Sequence, residues 1–432
     1  MTARLAQRPG DPASLVLEGV RVLDPVAGID RVGDLVVRDG VIGGAPDGLE
    51  RVDARGLTAV PGFVDPHVHL RTPGQEEAED IASGSRAGAA GGYVAIVAMP
   101  NTRPVVDSAS TLGSLIERAS REAVIPTGFY AAITVGQEGR GLTEQGELAD
   151  LGAAGFTDDG RPVADALVFR RALEYQRVTG LPLVLHEEDP ALSGSGVMHE
   201  GVVSSRLGLA GIPAVSESVA VARDAALAAY EGGRIHVCHV SARATVDVLR
   251  AARQAGVRIT AEVTPHHLVL TDEAVASLDP ARHKMNPPLR AEDDRQALID
   301  ALVDGTIDCV ATDHAPHAAH LKEAPFEQAP FGVTGLETAF AVLYTRLVQT
   351  GVLPLELLVR RMSADAARVV DLPQPTLADG APANLAVLDL SARWTVGDGG
   401  FQSRSTNSSF LGEELTGQVT MTIAGGQVAW RR

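Results

Sequence analysis

Two histidines one residue apart, His67 and His69 in Asp65-Pro66-His67-Val68-His69-Leu70-Arg71, are the first chemistry the chain offers. On an extended segment the two-residue period sets both imidazoles on one face, where they can share a metal ion. Alone, the pair reads equally as a structural or surface feature. Further ligand types recur far down the chain: Asp158 and Asp159 in Phe156-Thr157-Asp158-Asp159-Gly160, His186 in Leu185-His186-Glu187, His239 in Cys238-His239-Val240, and Asp313 in Thr312-Asp313-His314. Each stands where an apolar run ends. Ionisable groups at the rim of an apolar core cost several kcal/mol apiece unless paired, and a bound cation is a physical reason for them to gather. Four imidazoles with two carboxylates suit Zn²⁺ better than Mg²⁺ or Ca²⁺, which take oxygen ligands.

Residues so distant in sequence need a frame that brings them together. Short apolar runs at 62–70, 93–99, 127–134, 155–158, 183–187, 234–240, 258–263 and 308–312 alternate with Ala-, Leu- and Arg-rich helical stretches. Strands that are apolar throughout are buried on both faces, and eight such repeats predict an α/β fold of the (β/α)8 TIM-type barrel class. In that fold reactive side chains sit at the C-terminal ends of the strands, where the candidate ligands fall. Helices are expected over 336–347 and 355–370. The first sixty and last fifty residues are β-rich, and neither end has enough strands for a core of its own. The termini are therefore expected to pair into a composite β-sandwich domain, 1–60 with 375–432, flanking a barrel over 61–374.

Composition limits the partners. The 432 residues are 45% hydrophobic and 21% charged with a net charge of −18, a balance that supports a large core but repels phosphate backbones and anionic lipid. Two cysteines cannot make a disulfide framework, and no run of 18 apolar residues or N-terminal signal pattern is visible, so a cytoplasmic protein without nucleic-acid or membrane partners is expected. Of 37 basic residues only Lys284 and Lys322 are lysines.

The stretches PGFVDPHVHLR (61–71), MPNT (99–102), FTDDG (156–160), KMNPPLR (284–290), ATDHAPH (311–317) and FGVTGLET (331–338) carry a family resemblance. Over its whole length the chain resembles the amidohydrolase superfamily and, within it, the bacterial type I dihydroorotases. The resemblance implies two Zn²⁺ ions per subunit, one on His67, His69 and Asp313, the other on His186 and His239, with Asp159 bridging. Asp158 stays open as the rival bridge, although on an extended segment it points the other way. Related hydantoinases bridge their metals with a carbamylated lysine, and no lysine lies near residue 159. The implied reaction is the reversible cyclisation of N-carbamoyl-L-aspartate to (S)-dihydroorotate plus water, in pyrimidine biosynthesis, through a hydroxide bridging the two zinc ions. Asp313 is the implied proton carrier. Arg71, Asn101 and His317 match residues that grip the substrate carboxylate, Asn286 matches a further substrate contact, and Phe331 and Gly332 match backbone contacts to the ring edge.

Plainer readings stand beside these. Arg71 could pair with Glu76 or Glu77, Asn101 could cap a turn, and His317 could be an exposed loop residue. His236 reads as packed in its strand, His266 and His267 as rim residues, His199, His283 and His320 as loop residues, and both cysteines as core. Thr72 and His320 stand where the family pattern leads one to expect acidic residues. An allantoinase or hydantoinase is the nearest alternative enzyme, and a noncatalytic dihydroorotase-like scaffold of aspartate transcarbamoylase is the alternative of another class. A homodimer and a complex with aspartate transcarbamoylase are the assemblies the resemblance raises.

Overall fold

A computed structural model describes residues 3–276 and 280–432 of the chain. Phe63–Val68, Tyr93–Ala98 and Thr127–Phe129 form one parallel set of strands. Leu183–Leu185, Arg234–Val237, Arg258–Val263 and Cys309–Val310 form another. Single parallel bridges close the ring, Val68 to His314 on one side and Ala131 to Phe156 to Leu183 on the other. The barrel predicted from the apolar runs is thus present. Its strands Phe63–Val68 and Tyr93–Ala98 are buried at every position, as strands covered on both faces must be.

The fourth run, 155–158, departs from the strand expected there. It keeps single bridges only: Phe156 N–H donates to Pro182 O (3.0 Å) and its carbonyl accepts from Val184 N (2.9 Å), while on the other side Ala131 N donates to Gly155 O (3.1 Å) and Thr157 N to Ala131 O (2.9 Å). The reason lies one turn of backbone away. The Asp158 carboxylate accepts from Ile133 N (2.8 Å), the next donor a longer strand would have used for its ladder, and from Thr134 N (3.1 Å).

The helical stretches after the eighth strand are also interrupted. The expected helix at 336–347 begins at Ala339 and passes into a wider turn over Tyr344–Val348. The one at 355–370 divides into Leu355–Met362 and Ala364–Val369. Ser363 marks the break and donates from Oγ to Gly62 O (2.8 Å), tying this point to the start of the first barrel strand.

The two ends of the chain share one continuous eight-stranded sheet. Its order is Gln427–Arg431, Glu414–Ala424, Leu385–Thr395, Thr58–Pro61, Leu15–Asp24, Ile29–Arg38, Val41–Ile42, with Glu50–Asp53 also paired to Leu15–Asp24. The join is antiparallel, Leu385 opposite Pro61 and Val387 opposite Ala59. Leu17, Val37, Leu385 and Ile423 belong to an apolar cluster separate from the barrel core. Among the described residues, no helix is long and apolar enough to cross a membrane. Cys238 and Cys309 are buried and unpaired.

Candidate metal centre at the barrel mouth

The barrel delivers His67, His69, Asp159, His186, His239 and Asp313 to one mouth, all nearly or fully buried. Ligand-capable atoms of His67, His69 and Asp313 lie within 4.8 Å of one another, as do those of His67, Asp159 and His239. His69 Nε2 is 2.9 Å from Asp313 Oδ1, and His186 Nδ1 is 3.0 Å from His239 Nε2. Asp159 reaches both groups: Oδ1 is 3.5 Å from His67 Nε2 and 3.6 Å from His186 Nδ1, and Oδ2 is 3.7 Å from His69 Nε2.

His67 Nε2 and Asp159 Oδ1 are buried without a hydrogen-bond partner. Such groups are costly in a protein interior, and these two belong to the residues whose chemistry suits zinc. A metal ion therefore fits the donor set. Electrostatics agrees. Burial alone would raise the Asp159 pKa, but the imidazoles of His186, His239 and His67 around it hold it well below the carboxylate range. Burial works against a charged His67, yet the Glu262, Asp313 and Asp159 carboxylates push its pKa up to about 10. The cluster demands positive charge, which protons or a cation can supply.

Three of the site residues depart from ordinary strand backbone. Arg71 (φ 54°), His239 (φ 32°) and Asp313 (φ 46°) occupy the left-handed region, which a non-glycine side chain enters at some cost. Arg71 therefore does not continue the face of His67 and His69, because the first strand ends at Val68. The turn still brings its side chain to the same cavity. It makes no ion pair with Glu76 or Glu77: Arg71 Nε donates to Pro316 O (3.0 Å), while Glu76 pairs with Arg118.

A cavity of about 210 Å³ opens above the cluster, lined by Arg71, Asn101, Asn286, His317, Phe331 and Gly332 together with His69, Asp159, His186, His239 and Asp313. Asn101 spans two of these, accepting at Oδ1 from the His69 Nδ1 side (3.0 Å) and donating from Nδ2 to Asp159 Oδ2 (3.0 Å). His317 is not an exposed loop residue. Its Nε2 donates to Phe331 O (2.7 Å), and burial with the Arg71 charge pushes its pKa down to about 3. A larger cavity of about 350 Å³ elsewhere is lined by Phe340, Trp394 and Trp430 and holds no histidine.

Several residues of the site carried no expectation. Glu262, fully buried, accepts from His67 Nδ1 (2.7 Å) and His236 Nε2 (3.0 Å). His236 is thus packed, but as part of this network. Glu188 Oε2 lies 3.1 Å from His186 Nε2 and accepts from Asn286 Nδ2 (2.8 Å). His314 Nε2 meets Glu79 Oε2 at 3.1 Å. His199, expected in a loop, lies in the short strand Met198–His199 beside Arg290, whose Nη1 is 3.2 Å from His199 Nδ1. The available signal was a charge among apolar neighbours at the buried end of a strand, as for Glu262 between Ala261 and Val263.

Comparison with known proteins adds independent evidence. Residues 56–245 match a family model described as dihydro-orotase-like. A dihydroorotase of Anaeromyxobacter dehalogenans is 48% identical over 421 residues, covering 96% of this chain and 97% of that protein. A dihydroorotase of Geobacter metallireducens is 44% identical over 425 residues, covering 97% of this chain and 100% of the relative. Among solved structures, the L-hydantoinase (dihydropyrimidinase) of Arthrobacter aurescens superposes with a TM-score of 0.85 at 24% identity, covering 97% and 96% of the two chains. That likeness concerns the fold.

Proposed function

The chain belongs to the dihydroorotase family, and from that premise we propose that its barrel mouth holds two zinc ions and interconverts N-carbamoyl-L-aspartate and (S)-dihydroorotate. The chain is accordingly a cyclic amide hydrolase. Its membership favours this over the hydantoinase and allantoinase readings, and the full set of ligand types argues against a scaffold without activity.

In this reading His67, His69 and Asp313 hold one ion, His186 and His239 the other, and Asp159 reaches both. Zinc there would supply Lewis acidity, for activating water near neutral pH and for polarising the ring carbonyl. The residues of the chain do the rest. Asp313 carries the proton: His67 and His69 hold its carboxylate, despite burial, well below the usual range, so it is ionised before the reaction begins. It takes the proton of the attacking water and returns it to the departing ring nitrogen, and ring closure runs the same steps backwards.

Arg71 carries the choice of substrate. It is a largely buried guanidinium that makes no ion pair among the described residues, and it lines the cavity beside the metal ligands. A buried cation without a counterion calls for an anionic ligand, and dihydroorotate brings a ring carboxylate. Asn101 and His317 flank it, and Asn286 with the Phe331–Gly332 backbone forms the wall that meets the ring.

Residues 1–60 with 375–432 form the flanking domain of this reading, and the enzyme acts in the cytoplasm, as a homodimer or with aspartate transcarbamoylase. The deciding experiment uses metal-quantified protein with dihydroorotate and hydantoin. Turnover of dihydroorotate with two zinc ions per chain supports the proposal. Zinc-loaded protein that ignores dihydroorotate overturns it.

A further inference from the structure

Among 37 basic residues the chain keeps only two lysines, Lys284 and Lys322, and both are buried. They meet on one loop. Lys322 Nζ donates to Gly332 O (2.9 Å), Pro330 O (3.0 Å) and Lys284 O (3.3 Å). Lys284 Nζ donates to Phe326 O (2.6 Å) and Glu327 O (3.1 Å) and lies 4.7 Å from the centre of the Phe331 ring. Lys284 O also accepts from Gly332 N (2.9 Å), so the segment that carries Asn286 is bonded directly to the segment that carries Phe331 and Gly332.

Carbonyl groups converging from several directions suit a compact ammonium with three rotatable donors. A planar guanidinium is larger and presents its donors in a fixed fork. In a chain whose cationic positions are otherwise all arginine, the two lysines stand where that fork does not match the acceptors.

Gly332 is held on its other sides as well. Its φ is +128°, and a Cβ built there would lie 2.7 Å from Ala315 Cβ and 2.9 Å from His317 Nε2. Asn407 Nδ2 donates to the Gly332 carbonyl at 3.2 Å. Loops with this many fixed backbone groups have little freedom left, and a ligand that binds them has little ordering cost to meet.

We infer that Lys284 and Lys322 are positioning residues, an ammonium staple that fixes the Phe331–Gly332 backbone in the shape that receives the substrate ring. Neither touches the metal ligands, so the staple acts on binding and leaves proton transfer to Asp313. The inference rests on the dihydroorotase reading above.

The test compares wild type with Lys322→Arg, Lys322→Met and Lys284→Met, each as metal-quantified full chain. The staple predicts a KM for dihydroorotate raised by about tenfold or more in both Lys322 variants, with kcat changed far less and zinc content unchanged. Arginine at 322 does not rescue. Unchanged KM in both Lys322 variants, or a loss confined to zinc content and kcat, overturns the inference. Should the variants fail to fold, the wild type decides: with only two lysines, acetic anhydride modification of Nζ can be followed peptide by peptide. Slower acetylation with dihydroorotate bound supports the staple, and rates indifferent to ligand overturn it. A wild type without dihydroorotate turnover takes down the functional reading itself, which separates the two failures.

Discussion

The Glu262 carboxylate stands 2.7 Å from His67 Nδ1, on the ring edge opposite the atom that faces Asp159 and Asp313. A carboxylate behind a metal-binding imidazole fixes its tautomer and orientation, and losing such a partner typically costs about 10–100-fold in metal affinity. Glu262→Gln should therefore fold normally and bind zinc weaker by that factor. Zinc titration against a competing chelator, with circular dichroism as the control for folding, measures it.

The two adjacent aspartates should fail in different ways. Asp159→Ala removes the carboxylate shared between the histidine groups and should lower the zinc content of the purified protein. Asp158→Ala should retain zinc but lose about 1–3 kcal/mol of stability, because the buried Ile133 and Thr134 N–H groups are left without an acceptor. Metal analysis and denaturant unfolding separate the two outcomes. Full zinc in the Asp159 variant would contradict the assignment.

Arg71→Met tests the anionic anchor. It should raise the KM for dihydroorotate by about two orders of magnitude, as expected when one member of a charge-assisted pair is lost, with zinc unchanged. Steady-state kinetics on metal-matched samples gives the answer.

Acid should weaken the fold through histidines kept neutral. Burial and the Arg290 charge lower the His199 pKa to about 4, and burial with Arg71 lowers that of His317 to about 3. A folded-state value below the unfolded value of about 6.5 means that the unfolded chain binds more protons in that window. Stability is therefore full above about 6.5 and falls as pH drops toward 4, each histidine adding up to about 1.4 kcal/mol per pH unit. Urea midpoints of wild type and His199→Gln from pH 7 to 4.5 isolate this contribution: the wild-type midpoint should fall relative to that of the variant as pH drops.

Much of this was legible in the sequence because each candidate ligand ends an apolar run, while the preference for Asp159 over Asp158 came from the family resemblance. Other features were hidden for physical reasons. The fourth strand stops after Thr157 because the Asp158 side chain takes the Ile133 N–H, the next ladder donor of its neighbour, which no propensity records. Arg71 lies past the end of the first strand, at a turn of positive φ that no strand period describes. Glu262 found His67 across the barrel, over 195 residues, whereas Glu188 meets His186 from two residues further along the chain, where the backbone has already left its strand. The termini showed their strands plainly, but their order in the sheet did not follow from either end alone.

The pairing of Leu385 and Val387 with Pro61 and Ala59 has a temporal consequence. The strand that presents His67 begins two residues after Pro61, and its lead-in is clamped by a segment made more than three hundred residues later. A nascent chain on the ribosome therefore carries His67 and His69 long before the partner of their lead-in is made. The join between the first barrel strand and the terminal sheet can close only when nearly the whole chain has been made, a long-range contact of the kind that is slow to form.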